Sequence, residues 1–213
     1  MAVTKTAVQS EYNSDDSFRE VLRNSSSRQV RSVSEIARID TSVMFVTVSE
    51  NGAQRHFERH INKYADTVGG FVEKTAHADD SVYIDKWSIV EDNALISGNA
   101  RVICSRIRGA AEIEGSVEIY VSEIRDSAKI YGGHAPPSSK VTISHSDISE
   151  SATIKGNALI DRAHVFGSVV IEGDSVVKAS SISGDMLYKN LNAGRMVIKD
   201  KALNYFDYVS RKE

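Results

Sequence analysis

Cysteine and proline are nearly missing from this chain of 213 residues, which has one cysteine, Cys104, and two adjacent prolines, Pro136 and Pro137. A lone cysteine excludes an internal disulfide framework and a cysteine-based zinc cluster. Aromatic residues make up 7% of the chain, with one tryptophan, so its apolar mass comes from Ile, Val and Ala set among Ser and Gly. Long hydrophobic runs are missing as well, and nothing approaches the roughly 20 apolar residues of a membrane-spanning helix. The opening MAVTKTAVQSEYNSDDSF lacks the apolar stretch of a secretory leader. The expected setting is the cytoplasm, or a virion if the chain is viral, with no membrane partner. Nor is one charge in excess: 26 basic residues face 29 acidic ones, a net charge of −3. That is too small for the broad attraction by which proteins hold duplex nucleic acid, so no nucleic-acid partner is expected. What remains, 41% hydrophobic and 26% charged residues, suits one or two globular domains able to bury a core.

What the chain does have is a repeat. Reading from Ala94, an Ile or Val recurs at 96, 102, 107, 113, 119, 124 and 130, and again at 143, 148, 154, 160, 165, 171, 177 and 182. Outside one interruption the steps are five or six residues and close at seventeen per round. Two residues before each of the fifteen slots stands a small or β-branched residue, from Ala94, Ala100 and Ser105 to Val169, Ser175 and Ser180. A helical stripe repeats at three and four and an isolated strand at two, so this three-step round fits neither. It describes a mainly β fold, a single-stranded parallel β-helix. Each turn has three short strands and three corners, with one branched aliphatic per side pointing into a narrow core.

Glycine follows one slot of every round, at Gly98, Gly115, Gly132, Gly156 and Gly173, which predicts a left-handed corner there. Residues seventeen apart should stack on adjacent turns. Arg101 then lies over Glu118, Arg106 over Glu123 and Glu112 over Lys129, opposite charges at each step. An exposed pair of this kind is worth at most about 1 kcal/mol, so the pairs speak for register more than for stability.

The segments ISGNARV at 96–102, IEGSVEI at 113–119, IKGNALI at 154–160 and IEGDSVV at 171–177 resemble the hexapeptide-repeat β-helix proteins, over roughly residues 82–185. The resemblance implies a left-handed coil and, frequently, a trimer. It also implies a range of roles: acyltransferases, carbonic anhydrase-like enzymes, and binding or scaffold proteins. The usual round in that family has 18 residues, and this chain departs from it. The repeats with atypical ends are also similar to those of bacteriophage and bacterial accessory proteins, which implies a particle component or a host-interacting factor.

Solenoid ends need caps, because they expose strand edges and a core cross-section. Residues 1–78 read as an α/β capping or attachment region, with a short helix at 14–24 and a hairpin whose strands, 42–49 and 54–61, flank a tight Asn51-Gly52 turn. The β-helix is expected over 79–185, its first turn approached by Val82, Ile84 and Ile89. Residues 186–213 read as a C-terminal cap, helical over 199–213. The interruption falls between Ile130 and Ile143, where YGGHAPPSSK at 131–140 contains about seven extra residues and forms a protruding loop.

The chemistry-bearing residues are few. His134 in that loop is the candidate general base if the chain is an acyltransferase with an acyl-CoA-type donor, a role the resemblance implies by location alone. A solvated loop histidine is the plainer reading. His145 and His164 do not stack into a metal site, His56 and His60 share one side of a strand, and no Ser, His and Asp align in register. No metal and no cofactor are expected. Arg108 and Arg125 do stack, a like-charge pair suited to a phosphate, a carboxylate or an acidic partner, or else splayed into water. Outward Ile103 and Tyr120 stack with Val121 beside them, an apolar surface for a partner or for the N-terminal region. The leading expectation is a non-enzymatic structural or protein-binding β-helix. It would present one face and the loop to a partner, with Arg108, Arg125, Ile103, Tyr120, His134, Pro136 and Pro137 as the binding candidates, within a homo-oligomer, a trimer by preference. The rival is the acyltransferase.

Overall fold

The computed structural model describes residues 27–133 and 139–199. The helix expected at 14–24, nearly all of that expected at 199–213, and loop residues 134–138 lie outside the described residues. Within them the fold is mainly β, a parallel β-solenoid.

Each of the fifteen Ile and Val slots from Ile96 to Ile182 is no more than 1% exposed, and the small residues two places before them are buried too. Burying one such aliphatic is worth about 1.5–3 kcal/mol relative to leaving it in water. The strands carrying these residues stack in register on three faces. Ile96, Ile113, Ile130, Ile154 and Ile171 follow one another on the first face. Val102, Ile119, Ile143, Ile160 and Val177 do so on the second. The third face consists of Ile89–Val90, Arg106–Ile107, Glu123–Ile124, Asp147–Ile148, His164–Val165, Ser181–Ser183 and Val197–Lys199.

The glycine corner is left-handed as its sequence predicts at Gly98, Gly115, Gly156 and Gly173, with φ of +74° at Gly98 and +83° at Gly115, but not at Gly132, where the 131–140 insertion begins. A Cβ on Gly115 would lie 2.2 Å from the carbonyl oxygen of Gly132 on the next rung, so both conformation and contact require glycine there. The other two corners are left-handed as well, and mostly without glycine: Cys104, Val121, His145, Arg162 and Ala179 on one, Asp92, Asp126 and Glu150 on the other, all at positive φ.

What makes the first of these corners regular is a ladder of buried serines. Ser105 Oγ donates to the carbonyl of Ile103 at 2.7 Å and accepts the backbone N–H of Ser122 at 3.1 Å. Ser122 repeats the arrangement toward Ser146, at 3.0 Å, and Ser146 toward Ala163, at 3.0 Å. Each hydroxyl supplies an acceptor to a buried corner N–H and adds a second donor to a carbonyl that already accepts a backbone N–H from the next rung, as Ile103 does from Val121 and Tyr120 from His145.

The N-terminal end is closed by the chain itself. Strands β1 (Ser27–Val30), β2 (Phe45–Glu50), β3 (Ala53–Asn62) and β4 (Thr67–Glu73) extend the third face, β4 pairing in parallel with Ile89–Val90. The β2–β3 hairpin turns at Asn51-Gly52, both at positive φ. The one helical element among the described residues, the 3-10 segment Val33–Arg38, packs Val33 and Ile36 with Val46, Val48, Phe57, Phe71 and Ile89 in a second core. Ile89 therefore faces this outer core, and Val90 is the inward residue of the first rung. Arg59, 3% exposed, pins the region together. Its guanidinium donates to the carbonyls of Ile39 at 2.8 Å and Gly69 at 2.9 Å and lies 3.8 Å from the Phe71 ring centroid. Burial pushes its pKa down to about 10, which still leaves the cation charged at neutral pH. Asn62 mimics a strand, its amide donating to the carbonyl of Ile84 at 2.9 Å and accepting the Ile84 N–H at 2.8 Å.

The rungs of the first face begin at His77–Ala78, and the solenoid continues past 185 to Val197–Lys199. Residues 187–199, expected to be part of a helical cap, form a further rung with Tyr188, Ala193 and Ile198 inward. Ala193 lies beside Val177 and Ile198 beside Ile182, sixteen residues on, so a search for seventeen ends one rung early.

Candidate functional site

The third face carries charged residues in two columns either side of the inward slots. Ahead of the slots stand Arg106, Glu123, Asp147, His164 and Ser181; behind them stand Glu91, Arg108, Arg125, Ser149 and Phe166. Ion pairs cross between the columns. Arg106 holds Glu91, Arg108 Nε lies 2.6 Å from Glu123 Oε1, and Arg125 Nε lies 3.3 Å from Asp147 Oδ1. Arg125 also reaches Asp126 Oδ2 at 3.0 Å. Bonding to Glu91 raises the Arg106 pKa, and bonding to Asp147 raises that of Arg125. At the capped end, Arg55 binds Glu73 and also contacts Glu91 at 3.2 Å and Asp92 at 2.9 Å.

Arg108 and Arg125 thus share a face as their spacing required, but a carboxylate occupies each guanidinium, so the stack is neither a pair splayed into water nor an open anion clamp. Ile103 and Tyr120 are neighbours on the second face, both half-buried, with the Tyr120 hydroxyl donating to Glu118 Oε2 at 2.9 Å. His134, Pro136 and Pro137 lie outside the described residues. The base of their loop is fixed: Gly133 N–H donates to the Ser139 carbonyl at 2.6 Å, and Ser116 N–H to the Gly133 carbonyl at 3.0 Å.

One expectation needs correcting. Asp147, His164 and Ser181 do align in a single column of the third face, with His164 Nδ1 3.9 Å from Asp147 Oδ2. The alignment lacks electrophilic support, since the N–H groups of His164 and Ser181 donate to the carbonyls of Ser180 and Met196 in the ladder. An acyl-transfer site needs donors aimed at a developing oxyanion. Among the described residues, no three His, Cys, Asp or Glu side chains converge to hold a metal ion.

Sequence reasoning missed Trp87. It precedes Cys104 by seventeen residues, as Cys104 precedes Val121, and that periodicity was the available signal. Trp87 and Val121 are 49% and 52% exposed, and Cys104 is exposed between them. With Val33, Ile89, Arg106 and Glu123 they line a groove of about 430 Å³. Burial, followed by the charge of Asp85, raises the Cys104 pKa, so the thiol is not activated.

No family model and no curated protein matches this chain.

Proposed function

We propose that the protein is a rigid binding scaffold, a β-solenoid that presents its third face, the adjoining corner and the 131–140 loop to a protein partner, and that it is not a catalyst. The carrying observation is the internal pairing of the third-face charges beside a corner that leaves Trp87 and Val121 in water. A face with its own counter-ions matched gives little to a charged substrate, whereas exposed apolar residues beside it favour a protein surface. A phage particle or a phage-infected host is the setting in which to seek that partner, and side-to-side association into a trimer would multiply the presented faces.

The acyltransferase reading rests on His134 alone. The test compares the natural chain, a variant whose loop is shortened by seven residues, and His134→Ala, for partner capture and for acyl transfer from acetyl-CoA. Loss of capture in the shortened variant with capture retained in His134→Ala supports the scaffold. A selective loss of acyl transfer in His134→Ala, typically about 10²–10⁴-fold for a general base, overturns it. Light scattering on the same samples reads the oligomeric state, and a constant mass near 23.4 kDa eliminates the trimer.

A further inference from the structure

We propose that the groove along Trp87, Cys104 and Val121 is the docking site for an uncharged apolar side chain, aliphatic or aromatic, carried by the protein partner; this rests on the binding reading above. Three observations lead there. Val121 has a φ of +46°, a left-handed conformation that a β-branched side chain adopts only under strain. Its side chain is 52% exposed, so packing returns little for that strain, and glycine or asparagine would suit the corner better. The coil requires this conformation on each rung of the corner, at Cys104, His145, Arg162 and Ala179 as well, and Val121 is set apart as the one β-branched residue among the five, left half in water.

The second observation is continuity. Ile89 and Val33, which line the groove, both belong to the buried N-terminal core, so the groove is an open margin of that core, with the exposed Trp87 also lining it. Its volume is that of a small ligand pocket.

Charge complementarity selects the occupant. The charges lining the groove are already matched, Arg106 by Glu91 and Glu123 by Arg108. Beside the groove, Asp85 accepts the Cys104 N–H at 2.9 Å and the Ser88 hydroxyl at 2.5 Å. An incoming carboxylate, phosphate or ammonium would give up its hydration against lining charges that are already matched, the nearby Lys86 ammonium being seated over the Trp87 ring with Nζ 4.8 Å from its centroid, while an apolar side chain gives up nothing.

The groove holds the chain's one tryptophan and one cysteine, so two intrinsic signals report on it without labels. The probe is N-acetyl-leucinamide, with inorganic phosphate as the anionic comparison, added to the full chain. The amide is expected to shift Trp87 emission and to slow the reaction of Cys104 with an aromatic disulfide severalfold, and phosphate to do neither. Val121→Gly is expected to raise the thermal midpoint, by relieving the corner, while losing both responses. Trp87→Ser, read by Cys104 alone, is expected to lose the protection as well. The proposal is overturned by protection from phosphate, by no protection from either compound, or by a Val121→Gly variant that keeps the response. Protection that grows with protein concentration alone assigns the groove to a second copy, and a gain in Cys104 reactivity on removing residues 1–26 assigns it to the chain's own N-terminal segment; either overturns the proposal. Partner capture is measured in parallel. Capture unaffected by Val121→Gly places the partner elsewhere and leaves the scaffold reading standing, whereas no capture by any form refutes the scaffold reading itself.

Discussion

Arg108 Nε donates to Glu123 Oε1 at 2.6 Å, although the backbone sets Glu123 beside Arg106. The guanidinium reaches sideways, from the column behind the inward slots to the column ahead of them on the next rung. Arg106 reaches the other way, to Glu91, which is 1% exposed. The two pairs should therefore differ in weight. Arg108→Ala is expected to cost less than about 1 kcal/mol, falling with added salt, because both partners are more than a third exposed. Arg106→Ala leaves a buried carboxylate with Arg55 alone and is expected to cost about 2–4 kcal/mol. Urea midpoints at low and high salt compare them, and equal costs would contradict the assignment.

The inward slots set a larger scale. Ile154→Ala removes a fully buried side chain and is expected to cost about 2–5 kcal/mol, against less than about 1 kcal/mol for Glu112→Ala on the surface. Equal shifts in the unfolding midpoint would mean that inside and outside are misassigned.

For the serine ladder the test is Ser122→Ala. The substitution leaves the Ser146 N–H and the Tyr120 carbonyl without the hydroxyl that joins them, and the expected cost is about 1–3 kcal/mol despite a change of one oxygen atom. Ser127→Ala, at an exposed position, is the control and is expected to be neutral. Amide hydrogen exchange at Ser146 should accelerate in the first variant only.

Acid should weaken the solenoid in a defined window. Lys129 holds the Glu112 carboxyl below its ordinary range, Lys155 and Lys189 do so for Glu172, and for Asp161 the Ser144 hydroxyl does so first. A depressed carboxylate contributes stability above its unfolded pKa, about 4 for Asp and Glu, and loses it as pH falls through the lower folded value. The thermal midpoint should stay level from about pH 8 to about pH 5 and fall below about pH 4. Replacing Lys155 and Lys189 together by Met should shrink that fall, and an unchanged acid limb would show that Glu172 takes no part.

The solenoid was legible in the sequence because its contacts repeat. Every slot from Ile96 to Ile182 meets the same environment, so fifteen positions testify to one geometry. The cap repeats nothing. Arg59 bonds carbonyls twenty residues before it and ten after it, and Asn62 pairs with Ile84, single contacts that leave no period to read. Stacking of Arg108 over Arg125 followed from spacing, but whether a long side chain points at its own rung or the next is decided by torsions that spacing does not encode. The Trp87, Cys104 and Val121 corner was within reach, and was missed because its first member lies ahead of the rung where the regular pattern begins.

The loop at 131–140 lengthens one round from seventeen residues to twenty-four. Val141 nonetheless lies beside Val117 and Asp147 beside Glu123, and the next round returns to seventeen. The extra chain is pinched off at Gly133 and Ser139 before it can disturb the rungs above and below. The solenoid thus has a port at this corner, where a segment of different length or composition can be exchanged for the present one while the scaffold keeps its thread.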